Sequence, residues 1–360
     1  MTITRTKRAS ATLATVLITA ATALALAACS SAESPTSAAP TTTGTTETAA
    51  AQFPVSIENK FGTTEIPAQP ERIVTVGFHE QDWLYAMGVA PVAVREWYGG
   101  YEFATWPWAE DARKAVGAEP QVLGSGDLDM EAIAALSPDL IIATWSGITK
   151  EQYDLLSQIA PTLAQSGDYA DYGMPFDEET RMIAKAIGKV DEGESLISGI
   201  QQKEADIKAS HADWANWTAA VTFFYEGQPG AYFSYDPRPA LLGTLGINVT
   251  DIDKLGDPAS DFYVTVSPEN LDKMDSDANV WLGATEPGTQ KTVEALPLYP
   301  QMNATVKGGQ IWSTDGVFEG AFSFASPLSI PFALDTLVPR FEAAFDGDPT
   351  TLPDPIVPAS

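Results

Sequence analysis

Short β-branched runs alternate along this chain with stretches whose apolar positions recur every three or four residues. Arg72-Ile73-Val74-Thr75-Val76-Gly77 is one such run, and the segment from Glu80 to Met87 that follows it has helical spacing. Gly88-Val89-Ala90-Pro91 closes that helix, and Val92-Ala93-Val94 starts a second strand. Strand and helix patterns in alternation predict βαβ units, hence an α/β fold with mostly parallel sheets. From Thr180 to Ser210 the chain is charged and free of proline, and Ile183, Ile187, Leu196, Ile197, Ile200 and Ile207 recur at roughly helical spacing. Gly188 and Gly193 are expected to interrupt this stretch, leaving a shorter helix and then a long one from about Asp191. A single long helix between two α/β halves would act as a stiff spine.

An internal repeat supports the division into halves. Leu128 matches Val266, Glu131 matches Glu269, Ile133 matches Leu271, Leu136 matches Met274 and Asp139 matches Asp277, every pair offset by the same 138 residues. Each copy carries a glutamate in its first helical turn and an aspartate just before an apolar strand, Leu140–Ala143 in one and Ala278–Trp281 in the other. A tryptophan follows in both, as Trp145 and Trp281. Such a spacing predicts two similar Rossmann-like lobes rather than a solenoid. The expected organisation is an N-terminal lobe over 53–188, a connecting helix over 189–212, a C-terminal lobe over 213–345 and a disordered tail over 346–360.

The N-terminus sets the compartment. Arg5, Lys7 and Arg8 precede an uncharged apolar stretch from Ala11 to Ala28, the layout of a secretory signal over residues 1–28. A transmembrane helix is the other reading, since this stretch is at the short end of a membrane span. Leu26-Ala27-Ala28-Cys29 favours the signal: it resembles the lipobox of bacterial lipoproteins, in which the cysteine becomes the lipid-bearing N-terminus. Residues 29–52 are rich in Ser, Thr, Ala and Pro and lack aromatics, so they read as a flexible tether. The expected location is therefore outside the cytoplasm, anchored to the cell membrane.

Composition then excludes several functions. The 360 residues carry 20 basic and 48 acidic side chains, a formal net charge of −28. So acidic a chain is ill suited to bind nucleic acid, which needs clustered Lys and Arg. One cysteine and two histidines, His79 and His211, leave no thiolate cluster and too little imidazole for an ordinary transition-metal site. No nucleophile elbow, P-loop or His-Glu-x-x-His motif is present. Gly124-x-Gly126 is too short for a dinucleotide fingerprint, and Asp127 and Asp129 read better as helix-start residues than as a glycosidase pair. No enzyme is expected; a secreted hydrolase is the remote alternative.

A lipoprotein signal, two α/β lobes and one joining helix resemble the class III substrate-binding proteins of ABC importers, in their iron-siderophore and cobalamin branch. The likeness runs from about Pro70 to Phe345. It is carried by Pro70-Glu71-Arg72-Ile73-Val74, Met130-Glu131-Ala132-Ile133, Ser137-Pro138-Asp139-Leu140-Ile141-Ile142, Ser267-Pro268-Glu269-Asn270-Leu271 and Ala304 through Trp312. The aromatic stretch from Trp97 to Trp108 looks like an iron-siderophore subgroup of high-GC Gram-positive bacteria. The resemblance implies a monomer that captures a ferric siderophore, or else haem or cobalamin, with no cofactor of its own beyond the lipid. It also implies that Glu131 and Glu269 dock on arginines of a membrane permease dimer. The plainer reading of both is a carboxylate complementing a helix dipole, worth about 0.3–1 kcal/mol.

Ligands in open α/β sheets bind beyond the carboxyl ends of the strands. On that rule the cleft candidates are Arg95, Trp97, Tyr98, Trp106, Trp145, Tyr225, Tyr235, Arg238, Trp281 and Phe318. Each aromatic could equally be core packing, as Trp214 and Trp217 are expected to be. His79, just after the first strand, is expected to be a polar cleft residue, with haem ligation by it or by a tyrosine as the alternative; His211 reads as solvated. Six arginines follow Cys29, and Arg72, Arg113, Arg181 and Arg340 fall on strand or helix starts and faces. Arg95 and Arg238 are left for the cleft. That is a poor match for a strongly anionic ferric tris-catecholate and a better one for a ferric hydroxamate or mixed chelate.

Overall fold

The computed structural model describes residues 53–258, 260–284 and 286–359. The signal, Cys29 and the tether lie outside the described residues. The described chain opens with a hairpin, β1 (Val55–Asn59) and β2 (Gly62–Ile66). β3 (Ile73–Thr75), α1 (Gln81–Ala86), β4 (Ala93–Arg95), α2 (Glu110–Ala115), β5 (Gln121–Leu123), α3 (Met130–Ala135), β6 (Leu140–Ala143), α4 (Lys150–Ser157) and β7 (Thr162–Ala164) follow in strict alternation. Strands β3 to β7 form a parallel sheet in the order β5-β4-β3-β6-β7. The order reverses between β3 and β6, and such a switch point leaves a crevice at the carboxyl ends. Ile73, Leu140, Ile142 and Leu163 pack on Trp83 and Ile183 on one face, while Val74, Ile141 and Ala164 pack on Ile133 and Leu156 on the other. Burial on both faces is why these strands read as unbroken apolar runs.

Two helices carry the chain across. α5 (Phe176–Ile187) ends at Gly188 in the left-handed conformation (φ 74°), and α6 (Val190–Ser210) is the expected spine. Gly193 does not break α6. It sits in the first turns, where an added Cβ would come 2.5 Å from Ala184 Cβ, so it is the point of close approach between α5 and α6.

The second sheet is built from β8 (Thr218–Tyr225), β9 (Gln228–Tyr232), β10 (Asn248–Val249), β11 (Tyr263–Thr265), β12 (Ala278–Leu282) and β13 (Gln310–Ser313). Its order is β11-β9-β8-β12-β13, with β10 beside β8; β12 runs parallel to both β8 and β13, and β9 is antiparallel. Helices α7 (Pro237–Thr244), α8 (Thr289–Glu294), α9 (Asn303–Lys307), α10 (Gly316–Phe324) and α11 (Ser329–Ala344) surround it. Val221, Val280 and Ile311 pack under α10 and α11 on one face, and Trp281 stacks on Trp312 on the other. The fold is thus two α/β lobes with central, mostly parallel sheets joined by one long helix.

The repeated aspartates have one structural job in both lobes. Asp139 accepts the backbone N–H groups of Glu71 and Arg72 at 2.8 Å each, at the entry to β3. Asp277 accepts that of Thr218 at 2.8 Å, at the entry to β8. The second repeat differs from the first in its helix: Pro268–Met274 is a tight 3-10 segment broken at Asn270, against a regular α3. The C-terminal segment departs further from expectation. It is not a free tail, because Ile356 is buried and bridges β13, its N–H donating to the Trp312 carbonyl at 2.8 Å while its own carbonyl accepts from Thr314.

Candidate ligand cleft

The loops that leave the strands of both sheets converge on one cleft. Phe78 follows β3, Trp97 and Tyr98 follow β4, Trp145 follows β6 and Tyr172 lies beyond β7. Across from them stand Phe223, Tyr225, Tyr232, Arg238, Phe262, Tyr263 and Glu319. The main cavity has a volume of about 450 Å³, and a smaller one of about 230 Å³ shares Trp97, Arg238 and Phe262 with it. On the first lobe Trp97 packs edge-on to Trp145 at 5.1 Å, and Trp145 edge-on to Tyr172 at 4.9 Å. Such T-shaped contacts hold flat surfaces rigidly in place.

The charged groups of the cleft are largely committed to each other. Asp236 grips Arg238 with both oxygens, Nε to Oδ1 and Nη2 to Oδ2 at 2.8 Å each, and the guanidinium lies 3.5 Å over the Tyr232 ring. Arg95 donates to the carbonyls of Gly126 at 2.8 Å and Val76 at 3.2 Å, its flat face 4.3 Å from the Phe78 ring. Burial lowers its proton affinity, though it stays charged. Glu319 is 7% exposed, and its Oε1 accepts the amides of Gly283 and Ala284 at 2.9 Å each. Burial is the chief cause that pushes its pKa up to about 7, against the opposing hydrogen bonds.

Beneath the cleft a polar network joins the lobes. His79 is buried with both ring nitrogens engaged: Nδ1 donates to the Phe324 carbonyl at 2.8 Å and Nε2 faces Glu179 at 3.0 Å. Burial opposes its charge, but Glu179, Glu80 and the Phe324 carbonyl together outweigh that and the pKa is raised. Asp82 accepts from Ser326 Oγ at 2.5 Å and from Trp108 Nε1 at 2.8 Å, and burial lifts its pKa to about 6. Phe324 is pinned among Trp97, Trp106 and Trp108 at 5.4, 5.6 and 5.2 Å.

The expected cleft residues thus fall into groups. Trp97, Tyr98, Trp145, Tyr225 and Arg238 line the cleft, Tyr225 exposed at the tip of the β8–β9 hairpin. Arg95 braces the wall through backbone carbonyls. Tyr235 faces a separate cavity of about 420 Å³ behind the cleft. Trp106 is buried between the lobes, its ring against Gly320, where a Cβ would come within 2.6 Å. Trp281 and Phe318 do not line the cleft: both are wholly buried, one on Trp312 and the other on Phe322. The sequence suggests a loop around Phe318, but the segment is helix α10, which turns Phe318 inward and its neighbour Glu319 to the cleft. His211 is only partly solvated; it stacks on Trp214 at 4.2 Å, and Trp214 is core. Sequence reasoning misses Tyr172, Phe262 and Tyr263, because β7 and β11 are three-residue strands with no legible period. Once β7 is seen, the after-the-strand rule finds Tyr172.

Comparison with known proteins then decides the family. The family model described as periplasmic binding protein matches residues 73–317. The chain belongs to the periplasmic binding protein family. This periplasmic binding protein is 26% identical over 293 residues to the probable siderophore-binding lipoprotein YfiY of Bacillus subtilis, covering 74% of this chain and 84% of that protein. A periplasmic solute binding protein of Mycobacterium smegmatis superposes with a TM-score of 0.69 at 33% identity, over 79% of this chain and 96% of that one. Streptococcus pneumoniae PiaA, solved with ferrichrome, shares the fold at a TM-score of 0.67 and 24% identity, over 79% and 96% of the two chains. The family binds solutes rather than transforming them, so this periplasmic binding protein is not an enzyme.

Proposed function

We propose that this protein captures a ferric siderophore of hydroxamate or mixed type between its lobes and delivers it to an ABC permease dimer, held at the membrane by lipid on Cys29. One observation carries the ligand class: the cleft is walled by Trp, Tyr and Phe, while its guanidinium, Arg238, is already neutralised by buried Asp236. Rigid rings suit an amphipathic organic chelate, and a spent cation gives little attraction to a tris-anionic one. In this reading the iron is held by the chelator's own oxygens and not by the protein. Haem ligation by His79 is disfavoured, since both of its ring nitrogens are taken, which leaves a tyrosine as the haem ligand of the alternative reading. The relative named above as siderophore-binding supports a siderophore as the ligand.

Delivery rests on Glu131 and Glu269. Both are exposed in first turns, one after β5 and one after β11, strands whose carboxyl ends point to the cleft side of their lobes. Two carboxylates so spaced can each take a guanidinium bidentately and fix the orientation of docking. The test is a tryptophan-fluorescence titration of the full chain in detergent with ferrioxamine, a ferric tris-catecholate, haem and cobalamin. Sub-micromolar quenching by ferrioxamine, with much weaker response to the others, is expected; tighter binding of the tris-catecholate would reverse the charge argument.

A further inference from the structure

Glu319 is a carboxylate in the cleft wall that capture of a chelate by aromatic packing leaves unused. It lines the cavity with Trp97, Tyr98, Tyr232 and Arg238, nearly all of its surface removed from water. Its Oε1 is held by two backbone amides at the end of β12, so the group is aimed rather than free to turn away. Arg238 does not compensate it, because Asp236 holds its Nε and Nη2 in a bidentate pair and Nη1 points to the Ser323 hydroxyl at 3.4 Å. The hydroxyl of Ser323, one turn on, donates to Glu319's own backbone carbonyl at 2.8 Å rather than to its carboxylate. With Glu319 ionised, the side chains that line the cavities present one cation, Arg238, and two anions, Asp236 and Glu319, while Arg95 lies behind the Phe78 ring and is turned to backbone carbonyls.

We propose that Glu319 reads the charge of the bound chelate, selecting a ferric siderophore that carries a protonated amine over neutral and anionic chelates of the same size. The inference rests on the siderophore reading above and sharpens it. An ammonium brought against an aimed, desolvated carboxylate makes a charge-assisted hydrogen bond and supplies the counter-charge this wall lacks. A neutral chelate must bury that carboxylate without a counter-charge or find it protonated, and an anionic one meets a like charge across a poorly screened gap.

The test compares ferrioxamine bearing its terminal ammonium with the same chelate N-acetylated, titrated against the full-length protein and Glu319→Gln. Glutamine keeps an oxygen for the Gly283 and Ala284 amides, so it removes the charge and not the loop anchor. Wild type is expected to prefer the ammonium form by about tenfold or more, the scale of one hydrogen bond to a charged group, and Glu319→Gln to bring the ratio near one. Equal affinities in wild type, or a preference that survives in Glu319→Gln, would overturn the proposal. The wild-type comparison needs no variant, so misfolding of Glu319→Gln would not shield it. Wild type that binds neither chelate would instead overturn the siderophore reading, and this role of Glu319 with it.

Discussion

Arg238 and Asp236 are two residues apart, and their pairing sets the electrostatics of the whole cleft. Asp236 also caps α7, accepting the Arg238 backbone N–H at 3.0 Å. Asparagine caps a helix about as well as aspartate, so Asp236→Asn keeps the helix start and releases the guanidinium's charge to the cleft. The expected result is a gain of about tenfold or more in affinity for a ferric tris-catecholate, read by fluorescence titration, with a stability loss of up to about 3 kcal/mol from the weakened buried pair. Unchanged affinity would mean that Arg238 does not face the ligand. At this scale the sequence was legible where a residue followed a recognisable strand, as Trp97, Tyr98 and Trp145 do. It misled where one step of helix rotation decides orientation. Phe318 and Glu319 are neighbours on α10, yet one is core and the other cleft.

Helices α5 and α6 meet at a glycine whose absent side chain is the contact. Ordinarily Gly193→Ala would favour a helix by about 1 kcal/mol. Here the new Cβ would fall within 2.5 Å of Ala184 Cβ, so the spine must shift. Overpacking of this kind costs about 1–3 kcal/mol, and Gly193→Ala is expected to lower the urea midpoint; an increase would show that the two helices can part freely. The pattern of apolar residues located the spine but read Gly193 as a helix breaker, since sequence alone does not tell a flexible glycine from a close-packed one. The C-terminal segment fails in the same direction. Pro- and Asp-rich composition argues for disorder, but Ile356 finds a buried slot beside β13 that no local pattern announces.

On the scale of the whole molecule, three buried groups join or line the two lobes and titrate in one direction. Glu319 moves from an ordinary 4.5 to about 7, and Asp82 from 3.8 to about 6, so the folded state holds these protons after the unfolded chain has released them. His79 is raised above 6.5, and its contribution is complete below that value and lost as pH rises through the folded pKa. All three therefore make the fold more stable as pH falls from 8 toward about 5, each tenfold gain in proton affinity on folding being worth about 1.4 kcal/mol. The melting temperature is expected to be higher at pH 5.5 than at pH 8, and Asp82→Asn to flatten that slope; a melting temperature that falls on acidification over this range would contradict the assignment. Docking belongs to this scale too. Glu131→Ala combined with Glu269→Ala is expected to leave chelate affinity within about twofold, as both side chains are exposed and neither lines the cleft, while abolishing uptake in cells. Loss of binding would remove both residues from the docking role.

What the sequence determined by itself was the architecture: alternating strand and helix periods, a spine helix and a 138-residue repeat whose aspartates tie down equivalent strands. These are local signals, written in the spacing of a few neighbouring residues. The cleft was decided by tertiary structure. Its walls come from segments as far apart as Phe78 and Glu319, and whether an arginine there is free or spent depends on which carboxylate the fold sets beside it. Burial and pairing are properties of the packed chain, and they fix the charge a ligand meets.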